Sequence, residues 1–329
     1  MSETFDIPIL LVTFNRPENT SMVLEKIKEV NPMKLYVFSD APRSGNSKDI
    51  YHVAQTRSLF DNINSNCQVF KLFQENNLGC GLGVSGAINW VFEKEEMAII
   101  LEDDCVPNKS FFDFCRIMLL KFKDNAKVMH VSGTRWNPEF NIGDYDYFFS
   151  NIGHIWGWAT WKRAWAKYDY NINSWDNKNK AREIKELFKD RVSSQFWIDR
   201  LNNIYKLSNK HTWDIQWQYA LFLERGLAVV PCVNLISNIG TQGMHTQPVD
   251  EYYHFRSTME WVDRNINHSI EANLHYDIYH MRYHFLRYHF LKKKFWFRSK
   301  SCRNILYDIS SMKKKFLKKK FWFQYKNKI

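Results

Sequence analysis

Met97-Ala-Ile-Ile-Leu-Glu102-Asp103-Asp104-Cys-Val-Pro107 is the stretch on which the reading of the fold turns. Met97 to Leu101 is an unbroken apolar run with two isoleucines, the pattern of a strand buried on both faces of a parallel sheet. Three carboxylates follow at once. Pro107 then breaks the chain, and Asn108 is placed to cap an apolar helix beginning near Lys109. Acids crowded at the carboxyl end of a central strand lie where open α/β sheets bind their ligands. Three adjacent carboxylates repel one another, so the cluster makes most sense as the holder of a cation that in turn holds phosphate. The plain alternative is a solvated acidic turn with a helix cap.

Outward from this strand, the preceding chain repeats one rhythm. Ile7 to Phe14 predicts a buried first strand, and Pro17 suits the first turn of a helix with Val23, Ile27 and Val30 on one face. Lys34 to Phe38 predicts a second strand, ending at Ser39-Asp40, before a helix from about Lys48 to Asn62. Cys67 to Phe73 predicts a third strand, and a helix from about Leu82 to Phe92 leads into the Met97 strand. This alternation implies an α/β fold with a mostly parallel, right-handedly wound sheet and flanking helices.

Beyond the acids, the pattern predicts a helix over Lys109–Phe122 and a strand over Val128–Ser132. The texture then changes, and Tyr145 to Trp165 is dense in aromatics and glycine. Helices are expected around Ala181–Lys189 and Ser194–Tyr205, and another opens at Trp213-Asp214 and is stopped by Gly226. Leu227 to Val230 reads as a short strand, Ser237 to His245 as a glycine-punctuated loop, and Glu251 to about Leu286 as a helix.

The totals allow one large α/β domain, alone or with an appendage, in 329 residues. No uncharged apolar run reaches about 18 residues, so no transmembrane helix is expected, and the N-terminus shows no signal-peptide pattern. The six cysteines form no C-x-x-C pair and no zinc spacing, which suggests reduced thiols of a cytosolic protein. From Met281 onward stand 16 Lys/Arg against one acid, Asp308, so the net charge of +11 divides into +15 there and −4 over residues 1–280. Within that basic tail, Leu291-Lys-Lys-Lys-Phe-Trp-Phe297 recurs as Leu317-Lys-Lys-Lys-Phe-Trp-Phe323. Lysine triplets beside aromatics suit an anionic membrane surface. A cytoplasmic protein bound peripherally to the membrane is therefore expected. The acidic remainder argues against a nucleic-acid partner, the other reading of such a tail.

Gly81-Leu-Gly83-Val-Ser-Gly86 matches the dinucleotide-binding pattern G-x-G-x-x-G, which raises an NAD-dependent oxidoreductase. That mechanism needs the first glycine directly after the first strand. Here the match follows the third strand at a distance, so the motif loses. Its glycines then serve a loop passing close over a nucleotide or over the sheet.

With the strand order, the Glu-Asp-Asp cluster and the aromatic-glycine segment in hand, residues 5–248 resemble a nucleotide-sugar glycosyltransferase of the GT-A type. The likeness is to the inverting N-acetylglucosaminyltransferase I group and to bacterial family-2-like or haemolysin-like transferases. The resemblance implies a GT-A (Rossmann-like) domain over 1–248, followed by a helical extension over 249–290 and the basic tail over 291–329. It implies a Mn²⁺ or Mg²⁺ ion on Asp104, with Glu102 and Asp103 toward the nucleoside of a UDP-sugar donor. Arg16 and Asp40, at the ends of the first two strands, then contact the nucleotide. Gly157 and Trp158 lie beside the donor sugar, and His245 lies on the loop that closes over the diphosphate, as a further metal ligand. The acceptor is a saccharide or a lipid-linked glycan, as in cell-surface polysaccharide or lipooligosaccharide synthesis. Inversion needs a base for the acceptor hydroxyl, and Asp214 is the candidate. Each residue has a plainer role as an alternative: an N-cap for Asp214, a core aromatic for Trp158, a turn residue for Asp40, a surface charge for Arg16 and a loop histidine for His245. A non-catalytic carbohydrate- or nucleotide-binding module on the same fold is the rival function.

Overall fold

The computed structural model describes residues 4–63, 66–175, 179–240, 256–266 and 268–291, with side chains to residue 283. The chain divides into two units, 1–280 and 281–329. His245 and the lysine-rich tail repeats lie outside the described residues.

Chain order in the first half follows the predicted alternation. β1 (Ile9–Thr13), α1 (Pro17–Glu29), β2 (Lys34–Ser39), α2 (Ser47–Ser58), β3 (Gln68–Phe73), α3 (Gly79–Phe92) and β4 (Met97–Glu102) succeed one another. A short β5 (Cys105–Pro107) precedes α4 (Lys109–Lys121), whose first turn is capped by the Asn108 side chain accepting from the Phe111 amide. β6 (Val128–Ser132), β7 (Tyr147–Ser150), β8 (Trp158–Trp161) and α5 (Lys162–Trp165) follow. Then come α6 (Asn179–Phe188), α7 (Arg191–Lys206), α8 (Asp214–Glu224), β9 (Leu227–Pro231), β10 (Ile236–Asn238) and α9 (Leu274–Leu291).

Eight strands form one sheet in the order β3-β2-β1-β4-β8-β6-β9-β7, and β10 pairs with β5 in a separate two-stranded ladder. Six of the eight run the same way, and β8 and β7 run against them. The α/β class and the mostly parallel sheet are as expected. The two antiparallel strands come from the aromatic-glycine segment, where no strand was expected.

Alternate residues of the strands feed two separate cores, as the two-residue period of a strand requires. Ile9, Leu11, Leu35, Val37, Ile99 and Leu101 pack with Val23 and Ile27 of α1 and with α4. Leu10, Val12, Tyr36, Phe38, Ala98 and Ile100 pack on the other face with Val84, Ile88 and Val91 of α3 and with α8. Full burial of each such side chain is worth about 1.5–3 kcal/mol. That load on both faces fixes β4 in the middle of the sheet, with its acids at the rim.

Three expectations need correction. Glycines 81, 83 and 86 lie inside α3 rather than in a loop. Gly83 faces the Phe38 ring and Gly81 faces the Lys210 carbonyl, so the missing side chains let the helix lie close to its neighbours. α8 ends with Arg225, not Gly226, in the left-handed conformation (φ 49°). Among the described residues of the helix expected from Glu251, helical structure begins at Leu274. Of the residues before it, 256–266 and 268–273 form no helix, because Trp261 is spent on the core: its ring packs on Phe114 and its indole donates to the Asp146 carbonyl. Among the described residues no helix is long and apolar enough to cross a membrane.

Candidate active site

From β1 the chain winds outward through β2 and β3, then returns to place β4 on the other side of β1. At such a reversal the loops leaving the two strands turn to opposite faces and a crevice opens above their carboxyl ends. Register pairs Val12 with Glu102, so residues 13–16 and 103–104 leave the sheet side by side.

Two residues knit these loops together. Asp103 accepts from the Phe14 amide (3.2 Å) through Oδ2, and its Oδ1 lies 2.5 Å from Arg16 Nη2. Arg16 Nη1 donates to Asp104 Oδ2 at 2.7 Å. Arg16 is thus a bridge between two adjacent acids, not a loose surface charge. Asp103 is only 2 % exposed, whereas Asp104 keeps 16 % of its side chain open. Of the two, Asp104 is the carboxylate an incoming ligand can reach.

The cluster carries more negative charge than it can neutralise. Burial, then the Asp104 and Asp103 charges, push the Glu102 carboxyl well above the usual carboxylate range, against the pull of Arg16 and with a further push from Asp214. Burial raises Asp103 as well, opposed by Arg16. For Arg16 burial works against the charge, but Asp103 and Asp104 outweigh it and hold the guanidinium ionised.

Asp214 reaches this cluster from 110 residues away in sequence. Trp213 occupies the cap position of α8 without a side-chain cap bond, and Asp214 is the first helical residue. The plain N-cap role therefore does not apply. After burial, the Glu102 and Asp214 charges raise the Cys80 thiol; after burial and Tyr170, Asp214 raises the Tyr168 phenol. The Asp214 charge is thus felt at Glu102, Cys80 and Tyr168, while Arg16 binds Asp103 and Asp104 directly. The start of α8 is pinned there by Tyr168, whose hydroxyl donates to the Trp213 carbonyl (3.2 Å). Cys80 and Tyr168 escaped sequence reasoning; Cys80 merely adjoins the glycine motif, and nothing local marks Tyr168.

Three other expected residues serve the scaffold. The Asp40 carboxylate accepts from the Ala41, Leu78 and Gly79 amides, each at 2.9 Å, and from Asn77 Nδ2 at 3.2 Å. Its acceptor sites are filled, so it acts by holding the entry to α3, next to Gly79 at φ +73°. Gly157, at φ +59°, passes so close to Ile236 that a Cβ would collide, and its carbonyl accepts from the Gly133 amide (2.8 Å). Trp158 is 0 % exposed, stacked against His130 (4.9 Å between centroids) and Trp213 (5.6 Å), so no ring face is open to a sugar. It lies behind the crevice, in the core. The glycines of the dinucleotide motif lie inside α3 and not in the turn after β1, which reads Phe14-Asn15-Arg16.

Among the described residues no three His, Cys, Asp or Glu side chains come together to hold a metal by themselves. Mg²⁺-type sites are commonly built from one or two carboxylates and completed by substrate phosphate oxygens. An open Asp104 beside Glu102, whose carboxyl is pushed up to about 8 by burial and by its acidic neighbours, fits that type of site.

No protein-family model matches the sequence, and no curated protein matches it. Among solved structures, one match is the glucosyl-3-phosphoglycerate synthase of Mycobacterium tuberculosis, in complex with Mn²⁺, UDP and phosphoglyceric acid. Identity is 12 %, the TM-score is 0.30, and the match covers 47 % of this chain and 55 % of that one, a little over half its length.

Proposed function

We propose that this chain is a metal-dependent, inverting glycosyltransferase of the GT-A type that uses a nucleotide-diphosphate sugar, with UDP as the nucleotide. One observation carries the reading: Glu102, Asp103, Asp104 and Arg16 meet at the reversal point of the sheet, with Asp104 open and the Glu102 carboxyl pushed up by burial and by its acidic neighbours. Asp104 would hold Mn²⁺ or Mg²⁺, with Glu102 beside it and His245 as a further ligand. The ion supplies neutralisation of the charge that builds on the leaving diphosphate.

The chain's own residues do the rest. Arg16, whose Nη1 and Nη2 are engaged by Asp104 and Asp103, turns to the diphosphate when a cation takes its place on Asp104. Asp214 accepts the proton of the acceptor hydroxyl while that oxygen bonds to the anomeric carbon and the bond to the diphosphate breaks.

Residues 1–248 form the transferase domain in this reading, 249–290 an extension and 291–329 a tail for an anionic membrane. The acceptor is a saccharide or a lipid-linked glycan of cell-surface polysaccharide or lipooligosaccharide synthesis, reached by a cytoplasmic enzyme bound peripherally to the membrane. Six lysines between Lys313 and Lys320, at about 1 kcal/mol each near an anionic leaflet, support the tail's role. Sedimentation with anionic liposomes, lost when the chain ends at Leu291, tests it; binding that survives removal of the tail refutes it.

A screen of nucleotide sugars for Mn²⁺-dependent release of nucleotide tests the enzyme reading. Release from one donor class supports transfer. Metal-dependent binding with no release from any donor points instead to a binding module on the same fold.

A further inference from the structure

The open carboxylate of Asp104 is seated by residues that the transfer chemistry does not use. β10 pairs with β5 so that Asn238 lies opposite Cys105, and the chain then runs directly over Asp104. The Ile239 amide donates to the Asp104 carbonyl at 2.8 Å. Asn238, 5 % exposed, sets its Nδ2 3.5 Å from Asp104 Oδ1, and its Oδ1 accepts from the Gly240 amide at 2.9 Å. Cys105 Sγ adds a 3.4 Å contact to the same Oδ1.

Gly240 closes the seat. A Cβ on it would lie inside contact distance of Asp104 Oδ2 and 2.9 Å from Cγ. Gly240 is not among the glycines with positive φ, so the backbone does not demand glycine there; the demand is for space. The atom in the way is not the loose end of a flexible side chain. It belongs to a carboxylate that Arg16 holds on Oδ2 and Asn238 approaches on Oδ1.

We propose that Asn238 and Gly240 are positioning residues for Asp104: Asn238 orients the carboxylate from one oxygen, and Gly240 leaves the room in which the other faces the crevice. The proposal rests on the reading of Asp104 as a metal-holding acid and adds the residues that aim it. Groups that orient a metal-binding side chain without touching the metal typically change metal affinity by about 10–100-fold when removed.

The test measures Mn²⁺ binding to the full chain in the presence of UDP, from the electron paramagnetic resonance of free Mn²⁺, with thermal unfolding alongside. Gly240→Ala should weaken Mn²⁺ by roughly 10–100-fold, and Asn238→Ala should weaken it by roughly tenfold. Gly86→Ala, whose added methyl meets nothing within 4 Å, is the control and should match the natural chain. If Gly240→Ala does not fold, Asn238→Ala carries the test alone. Variants that melt lower yet bind Mn²⁺ like the natural chain overturn the proposal and leave the transferase reading standing. A natural chain that takes up no Mn²⁺ with UDP overturns both.

Discussion

Replacing Arg16 with glutamine should tighten the binding of Mn²⁺ to the nucleotide-free protein. The reason is competition. Arg16 Nη1 occupies Asp104 Oδ2 at 2.7 Å, and Nη2 lies 2.5 Å from Asp103 Oδ1. A divalent ion arriving at Asp104 must displace a guanidinium that already neutralises it. Two unit charges about 4 Å apart attract by about 4 kcal/mol at an effective dielectric constant of about 20. Arg16 and Asp104 keep 29 % and 16 % of their side chains open, so solvent screens part of this. What remains is roughly 1.5–3 kcal/mol, the worth of a hydrogen bond to a charged group. At about 1.4 kcal/mol per decade, Mn²⁺ should bind the variant roughly 10–100-fold more tightly. With UDP present the sign reverses: the freed guanidinium faces the diphosphate, and its loss should weaken UDP at saturating Mn²⁺ by a similar factor. Calorimetry reads both, first Mn²⁺ into the nucleotide-free protein and then UDP into the Mn²⁺-loaded protein. A folded Arg16→Gln protein with unchanged or weaker nucleotide-free Mn²⁺ binding would refute the reasoning.

Two further outcomes are expected. Asp214→Asn keeps the size and shape of the side chain, so the fold should persist while transfer falls by about 10²–10⁴-fold. Near-normal transfer by the variant removes Asp214 from the base role. His130 should make the fold acid-sensitive: it is fully buried, its Nδ1 accepts from the Trp217 indole (3.1 Å), and burial depresses its pKa to about 3. The unfolded chain binds this proton from about pH 6.5 downward, so the stability is present above that pH and is lost as pH falls toward 3, at about 1.4 kcal/mol per unit. Urea unfolding of His130→Gln should therefore show a flatter pH dependence between pH 4 and 6.5; an unchanged slope contradicts this.

The first half of the fold was legible because its signals are local. β1, β2 and β4 are short, mostly apolar runs buried on both faces, and several helices carry their own start, such as Pro17 for α1 or Asn108 for α4. The second half hides its strands. β7 and β8 are four residues each, fully buried and aromatic, so no alternation of polar and apolar residues marks them. Their partners β9, β6 and β4 are distant in sequence, and only tertiary pairing tells strand from buried loop.

The candidate site divides the same way. Glu102 to Asp104 could be found from a strand ending in charge, and Arg16 from the end of the neighbouring strand. That Asp40 is consumed by the α3 amides, and Trp158 by the core, depends on contacts with residues whose spacing carries no sign of it. The seat formed by Asn238 and Gly240 lay within a loop recognisable by its glycines, but the purpose of Gly240 became visible only where its missing Cβ meets Asp104.

The most direct measurement is the rate of UDP release from the donor sugar at saturating Mn²⁺, compared between the natural chain and Asp104→Asn. The account predicts metal-dependent release by the natural chain and a loss of at least about 10²-fold in the variant, which should remain folded because Asp103, not Asp104, is the buried partner of Arg16 and of the Phe14 amide. Release that needs no metal, or an Asp104→Asn chain that keeps its metal-dependent rate, would contradict it.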